Sequence, residues 1–306
     1  MGLTAAAAVG LAFALDAAFE EVPGRLHPVA WLGRLVAPLD RTWEHPRAVG
    51  SLVALVAPVG FALALSAPVA LVALAPVPYA APLAAVLAGL VLFAATSLRM
   101  LVSAASGVVR ESETAIEAAR ESLLALAGRD ASALSAGELR SAAVESAAEN
   151  LADGLVAPLL AFALGAQLSL AAGCAAAAGV KGVNTLDSML GYRSKPVGWA
   201  PARLDDAVMW LPARASAALV ALARPAPRAL ARARRWARTP PSPNSGWPMA
   251  TLAVAIDVEL TKPGVYTLNP GAELPTAERA GLGVRTVTVA GLLAFALTAL
   301  AVGVSA

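Results

Sequence analysis

The sequence predicts an all-α, polytopic integral membrane protein with about four to five membrane segments and a helical cytoplasmic region. Three observations lead there. Of its 306 residues, 58% are apolar and only 14% charged, with a mean hydropathy of +0.68; a soluble domain carries roughly 25% charged residues. The apolar residues fall into runs that match the ~20 residues a helix needs to cross a bilayer core. The polar residues collect between those runs, in 20–47, 99–153 and 181–285.

Taken in order, residues 2–19 read as the first membrane helix. No positively charged stretch precedes them and Asp16, Glu20 and Glu21 close them, so the segment is expected to be retained, not cleaved. Runs 49–75 and 79–98 follow, joined by the tight turn Pro76-Val77-Pro78 into a hairpin, with Pro58 and Pro68 expected to kink the first of the two. Run 155–180 and the final run 284–304 complete the apolar set. The chain is therefore expected to be a single membrane-embedded domain, 1–306. It divides into N-terminal membrane helices (1–98), a polar helical region (99–154), a broken or re-entrant apolar segment (155–180), a motif-bearing basic region (181–285) and a C-terminal membrane helix (286–304). The polar region carries helix-spaced pairs such as Glu117–Arg120. In the basic region, residues 224–238 with Trp236 read as an amphipathic surface helix on anionic lipid, and Thr239-Pro240-Pro241-Ser242-Pro243 as a linker between two helical parts.

Charge sets the expected orientation. Cytoplasmic loops are rich in Lys and Arg. Region 20–47 holds Arg25, Arg34, Arg41 and Arg47, and 181–285 holds fourteen of the twenty-three Lys and Arg residues. A simple crossing by 155–180 would place the second of these outside. A segment that dips in and returns, broken near Gly165, Gly173 or Gly179, keeps both inside. Both chain ends then lie outside.

Several chemistries are excluded. A net charge of +2 argues against nucleic acid as a partner, whereas membrane lipid is implied by the composition. Cys174 is the single cysteine and reads as a small packing residue. His27 and His45 are too few for a histidine metal cage. No Gly-x-x-x-x-Gly-Lys loop or Gly-x-Ser-x-Gly elbow is present.

Three blocks carry the chemistry: ESAAENLADGLVAP, VNTLDSMLGY and ARLDDAVMWLPAR. Carboxylates beside a bilayer are costly unless paired, hydrated or bound to a cation. On a helix over 138–153, Glu145, Glu149 and Asp153 fall at i, i+4 and i+8 on one ridge, with Ser146 and Asn150 on the next. Like charges so spaced repel, and a hard cation reverses that repulsion. An all-oxygen set suits Mg²⁺. The competing reading is a solvated helical face. In the second block, Asn184 or Thr185 would cap a helix start with Asp187 in its first turn and Ser188 beside it, while Lys181 stands ready for a phosphate. In the third, Asp205 and Asp206 open an amphipathic helix ended near Pro212. Neighbouring acids diverge, so only one need face a site. Arg203 and Arg214 flank them as phosphate or carboxylate ligands, or as their salt-bridge partners. His27 is a candidate ligand, against the commoner capping or packing role.

The blocks, with LAFALDAAFEEVPGRLHPVAWLGRLV before them and SPNSGWPMA after, stand in the order of the CobD or CbiB family of cobalamin-biosynthesis membrane proteins, which the sequence resembles over most of its length. It departs from that family's pattern at Lys181-Gly182-Val183, at Met209 and in AIDVELTKPGVY. The resemblance implies an ATP-dependent amide ligase, adenosylcobinamide-phosphate synthase. Such an enzyme joins aminopropanol or its O-phosphate to the carboxylate of the corrinoid adenosylcobyric acid, with ATP as substrate and other cobalamin-assembly enzymes as possible neighbours. Under it, Glu145, Glu149, Asn150, Asp153, Asn184, Asp187, Asp205 and Asp206 are the expected catalytic set. Glu149, Asp153 and Asp187 are the Mg²⁺ ligands, and His27, Lys181, Ser188, Arg203 and Arg214 bind substrate. Two other classes compete: a membrane regulatory or sensory protein of the same superfamily, and a transporter of corrinoids or phosphorylated metabolites. Against transport, the acids gather at segment ends, Asp16 being the nearest exception, and no inverted repeat is evident.

Overall fold

In this computed structural model, which describes residues 2–128, 130–192 and 195–304, the chain is helical almost throughout. The α-helices are α1 (Gly2–Phe19), α2 (Pro28–Val36), α3 (Pro46–Ala73), α4 (Ala80–Ala95), α5 (Arg99–Thr114), α6 (Ile116–Ala127), α7 (Ala136–Leu151), α8 (Ala157–Gly165), α9 (Leu170–Leu190), α10 (Trp199–Val208), α11 (Trp210–Ala223), α12 (Pro227–Ala233), α13 (Gly246–Ala255) and α14 (Ala277–Val304). A π-turn, Ala152–Val156, joins α7 to α8. Among the described residues, five stretches are long and apolar enough to cross a bilayer: Gly2–Phe19, Pro46–Ala73, Ala80–Thr114, Ala136–Gly165 and Ala277–Val304. The protein is a multi-pass membrane protein. The outward side chains of α3 agree, since Leu52, Leu55, Val56, Val59, Leu63 and Leu71 are all exposed, an arrangement that hydrocarbon tolerates and water does not.

The chain forms two compact units. The first comprises Met1–Ser97, Asp153–Met209 and Phe295–Ala306. Small residues let its helices approach closely. Ala5, Ala8, Val9 and Ala12 of α1 are buried, and a Cβ at Gly89 of α4 would lie 2.8 Å from Leu11. Pro58 and Pro68 sit inside the single helix α3. The 155–180 stretch is not one span. It breaks between α8 and α9, where Ser169 caps α9 by accepting the Ala172 N–H at 3.0 Å. The two helices then pack on each other, and Gly165 is required because a Cβ there would lie 2.5 Å from the Ala172 carbonyl oxygen.

Two local expectations are corrected here. The NTLDSM block does not begin a helix: α9 runs without a breaker to Leu190, and the Thr185 hydroxyl bonds back to the Lys181 carbonyl at 2.7 Å instead of capping. Asp205 and Asp206 do not open their helix, which starts at Trp199 and ends at Val208, not near Pro212. Pro212 instead occupies the first turn of α11, where its missing N–H leaves no bond unmade.

The second unit comprises Leu98–Ala152 and Trp210–Ala294. A capping box starts α7, Ser135 and Glu138 each bonding the other's backbone N–H. The Arg120–Glu117 pair forms as spaced. The basic run 224–238 is not one surface helix. Pro225 and Pro227 restrict it to the short α12, and Ala229, Ala233 and Ala237 are buried. The all-helical expectation also misses one element, an antiparallel hairpin of β1 (Leu260–Lys262) and β2 (Tyr266–Leu268), with Leu260 opposite Leu268 and Lys262 opposite Tyr266. Its turn is Lys262-Pro263-Gly264-Val265, closed by Val265 N–H on the Lys262 carbonyl at 2.9 Å, with Gly264 at φ +74°. Proline then glycine in the two central places is the type II signature.

Candidate functional site

In the first unit the site is built on the C-terminal turns of α9. Leu186 and Leu190 are buried against Leu32 and Val36 of α2, which fixes the rotation of those turns. Lys181, Asn184 and Ser188 recur at i, i+3 and i+7 and share a stripe. Asp187 is partly buried just before Gly191, which has no Cβ to occupy the space its carboxylate takes. Burial, and secondarily the negative charge of Asp206 on α10, push the Asp187 carboxyl above the usual aspartate range. Arg203 reaches toward the same pair, 3.9 Å from Asp206, but is 71% exposed. It offers a mobile cation, not a fixed bridge. Asp205, beside Asp206, is also partly buried.

A second charged chain runs alongside. Lys181 lies within electrostatic reach of Asp153, in the π-turn, and of Glu21. Glu21 in turn sits 3.4 Å from His27 Nε2, and that hydrogen bond holds its carboxyl below the usual range. His27 Nδ1 accepts the Val29 N–H at 3.2 Å, capping α2. The π-turn itself is anchored by Ser97 N–H on the Gly154 carbonyl at 3.0 Å. Wide turns of this kind often mark functional sites in helices, and this one takes Asp153 out of the regular ridge that starts at Glu145.

The second unit holds the remaining residues. Glu145 is 3% exposed. It accepts the Tyr266 hydroxyl at 2.8 Å and the Ser141 hydroxyl at 3.0 Å, and Ser141 accepts the Thr261 N–H at 2.8 Å. Glu145 thus fastens the β-hairpin to α7 and is not on a solvated face. Asn150 donates to the Ser146 carbonyl one turn back at 3.0 Å, and Glu149 is half-buried. Arg214 donates to Asn244 Oδ1 at 2.6 Å and to the Trp210 carbonyl at 2.9 Å, between the Trp210 and Trp247 rings at 4.7 and 5.0 Å. Asn244 and Trp247 come from the SPNSGWP block, so that block's local task is to grip this guanidinium.

With these blocks in place, comparison with known proteins is decisive. The CobD/Cbib protein family matches the chain over residues 9–296. The chain belongs to the CobD/CbiB family. Similar curated proteins include the cobalamin biosynthesis protein CobD of Mycobacterium tuberculosis, 39% identical over 86% of this chain and 82% of the relative. That of Rhodobacter capsulatus is 36% identical over 85% and 81%. The probable cobalamin biosynthesis protein CobD of Methanothermobacter thermautotrophicus is 34% identical over 85% of each. No solved structure matches.

Among the described residues, no three of His, Cys, Asp and Glu gather closely enough to hold a metal ion by themselves. Mg²⁺ commonly takes only one or two carboxylates, with phosphate oxygens and water completing its shell. Asp187 and Asp206 are two carboxylates within electrostatic reach of each other. Sequence reasoning missed Glu21, Tyr266 and Asn244. Asn244 lay in a block already quoted, and Glu21 is signalled by two acids at the end of an apolar helix.

Proposed function

We propose that this protein acts in cobalamin biosynthesis as an ATP-dependent amide ligase. It joins the amine of aminopropanol, or of its O-phosphate, to the carboxylate of adenosylcobyric acid, giving adenosylcobinamide or its phosphate. Family membership and relatives named as cobalamin biosynthesis proteins support the pathway. The observation that carries the chemistry is that acids of two separate blocks, Asp187 of α9 and Asp206 of α10, stand on helices packed against each other, within reach of one another's charge. One carboxylate oxygen of the corrinoid attacks the terminal phosphorus of ATP and ADP leaves. The amine nitrogen then attacks the acyl carbon, inorganic phosphate leaves, and the nitrogen sheds a proton. Asp187 and Asp206 would hold Mg²⁺, which would supply charge neutralisation at phosphate oxygens. Lys181, steadied by Asp153 and Glu21, faces developing negative charge, and Arg203 swings onto a phosphate. Asn184 and Ser188 orient substrate from the stripe they share with Lys181. Asp205 lines the site; in the second unit Arg214, held in its tryptophan clamp, offers a cation, and Glu149 and Asn150 offer polar groups, for substrate recognition. Glu145 acts through the hairpin it fastens. The Asp187 and Asp205-Asp206 blocks face the cytoplasm, where ATP is available.

The test is genetic and biochemical. Asp187→Asn should abolish growth of a deletion strain on cobyric acid while leaving growth on cobinamide and membrane abundance unchanged. Normal growth on cobyric acid would remove Asp187 from the mechanism. A deletion strain that still makes its own corrinoid but fails to use an external supply would point to transport instead.

A further inference from the structure

Lys195, Pro196 and Val197 close one side of a concave site in the first unit. This cavity of about 290 Å³ is lined by Asp40, Arg41, Thr42, Trp43, Pro46 and the turn that begins at Lys195. We propose that it binds a phosphate ester, the chemistry shared by an anionic phospholipid headgroup and a soluble phosphorylated metabolite. The inference does not rest on the synthase reading.

Charge is the first argument. Asp40 is the one acid among the described lining residues, and Lys195 Nζ meets its Oδ2 at 2.7 Å. That pair cancels, and Arg41 supplies the net positive charge. The Arg41 guanidinium lies over the Trp43 ring at 4.1 Å from its centroid, and the ring is itself held by Trp43 Nε1–H donating to the Leu39 carbonyl at 3.0 Å. Stacking occupies the flat face of the guanidinium and leaves its N–H edge for a bidentate oxyanion. The backbone is the second argument. The 28-residue helix α3 begins at Pro46 on the cavity wall, and His45 gives it no side-chain cap. Pro46 has no N–H to donate, so what the helix adds beside the cavity wall is the positive end of its dipole. Rigidity is the third. A Cβ at Gly50 would fall on the Val197 carbonyl, and one at Gly198 on the Leu190 carbonyl, so the Pro196–Gly198 turn is wedged between α3 and α9. That wall of the cavity is preformed. Its surroundings suit headgroup depth, with Arg47 over Trp199 at 5.7 Å and Lys195 over Tyr192 at 4.8 Å.

The test is calorimetric titration of the detergent-purified full chain with inorganic phosphate, with short-chain phosphatidylglycerol and with short-chain phosphatidylcholine. Saturable binding of phosphate or phosphatidylglycerol is expected. It should weaken by about tenfold or more in Arg41→Gln, as befits a lost hydrogen bond to a charged group. Lys195→Met should weaken it independently by uncovering Asp40. Arg41 is exposed, so its replacement leaves the fold intact. Binding of inorganic phosphate would identify a soluble phosphate ester as the source, and binding confined to phosphatidylglycerol would identify lipid. No binding of either, or binding that both variants leave unchanged, would overturn the proposal.

Discussion

Removing one hydroxyl, in Tyr266→Phe, should loosen the second unit by a predictable amount. Tyr266 donates to Glu145 at 2.8 Å, and Glu145 is 3% exposed, so the substitution takes a donor from a buried carboxylate while leaving the ring in place. A hydrogen bond to a charged group contributes about 1.5–3 kcal/mol. Tyr266 is itself only partly buried, so water replaces some of what is lost and the lower half of that range, about 2 kcal/mol, is the expectation. For a unit of this size that corresponds to a fall in melting temperature of about 4–8 °C. The assay is thermal unfolding of the detergent-purified protein, followed by tryptophan fluorescence, for Tyr266→Phe, Glu145→Gln and the double variant. The two changes touch one bond, so the double variant should lose about 1–2 kcal/mol less than the sum of the singles. Strict additivity, or a Tyr266→Phe protein within about 0.5 kcal/mol of the parent, would refute the assignment of Glu145 as the hairpin's anchor.

Further consequences follow from the first unit. If Asp187 must be ionised to act, its raised pKa sets the acid limb of activity. Asp206→Asn, which removes the neighbouring charge though not the burial, should move that limb to lower pH; a shift to higher pH would contradict the coupling. The stability sign runs the other way. A carboxyl whose folded pKa is raised contributes stability below its unfolded pKa and loses it as pH climbs through the folded value. Asp206→Asn should therefore flatten the decline in melting temperature between the unfolded and folded pKa values of Asp187. Gly50→Ala would drive a methyl onto the Val197 carbonyl, and because backbone cannot step aside as a side chain does, a loss of at least about 1–3 kcal/mol is expected from unfolding measurements. An unchanged melting temperature would mean that the Pro196–Gly198 turn is free to move.

How much of this was legible depended on range along the chain. Helices α1, α3 and α4 were readable because each is one uninterrupted apolar run. The break before α9 was readable because a simple crossing would part the basic region 181–285 from 20–47; of the three glycines offered, Gly165 ends α8, while Gly173 and Gly179 lie inside α9. The far end of α9 was not, because Asn184-Thr185 has the composition of a cap, and only the neighbouring helices show that the chain stays helical past it. The hairpin was overlooked although Lys262-Pro263-Gly264-Val265 is a local turn signal, since three-residue strands give too short an alternation to register. At the site, residue types were legible and partners were not. Nothing local connects Glu145 with Tyr266, 121 residues away, or Arg214 with Asn244, 30 residues away. The identical i, i+4 spacing of Glu145 and Glu149 concealed that one is sealed into a structural network and the other half-exposed.

The central claim is that acids from α9 and α10 together support amide-bond formation on a corrinoid carboxylate. Its most direct test is product formation by purified protein in membranes given adenosylcobyric acid, ATP, Mg²⁺ and aminopropanol O-phosphate, comparing the parent with Asp187→Asn. The account predicts adenosylcobinamide phosphate from the parent with one ADP released per amide formed, and none from the variant. Amide formation by Asp187→Asn at the parental rate, or by the parent without ATP, would contradict it.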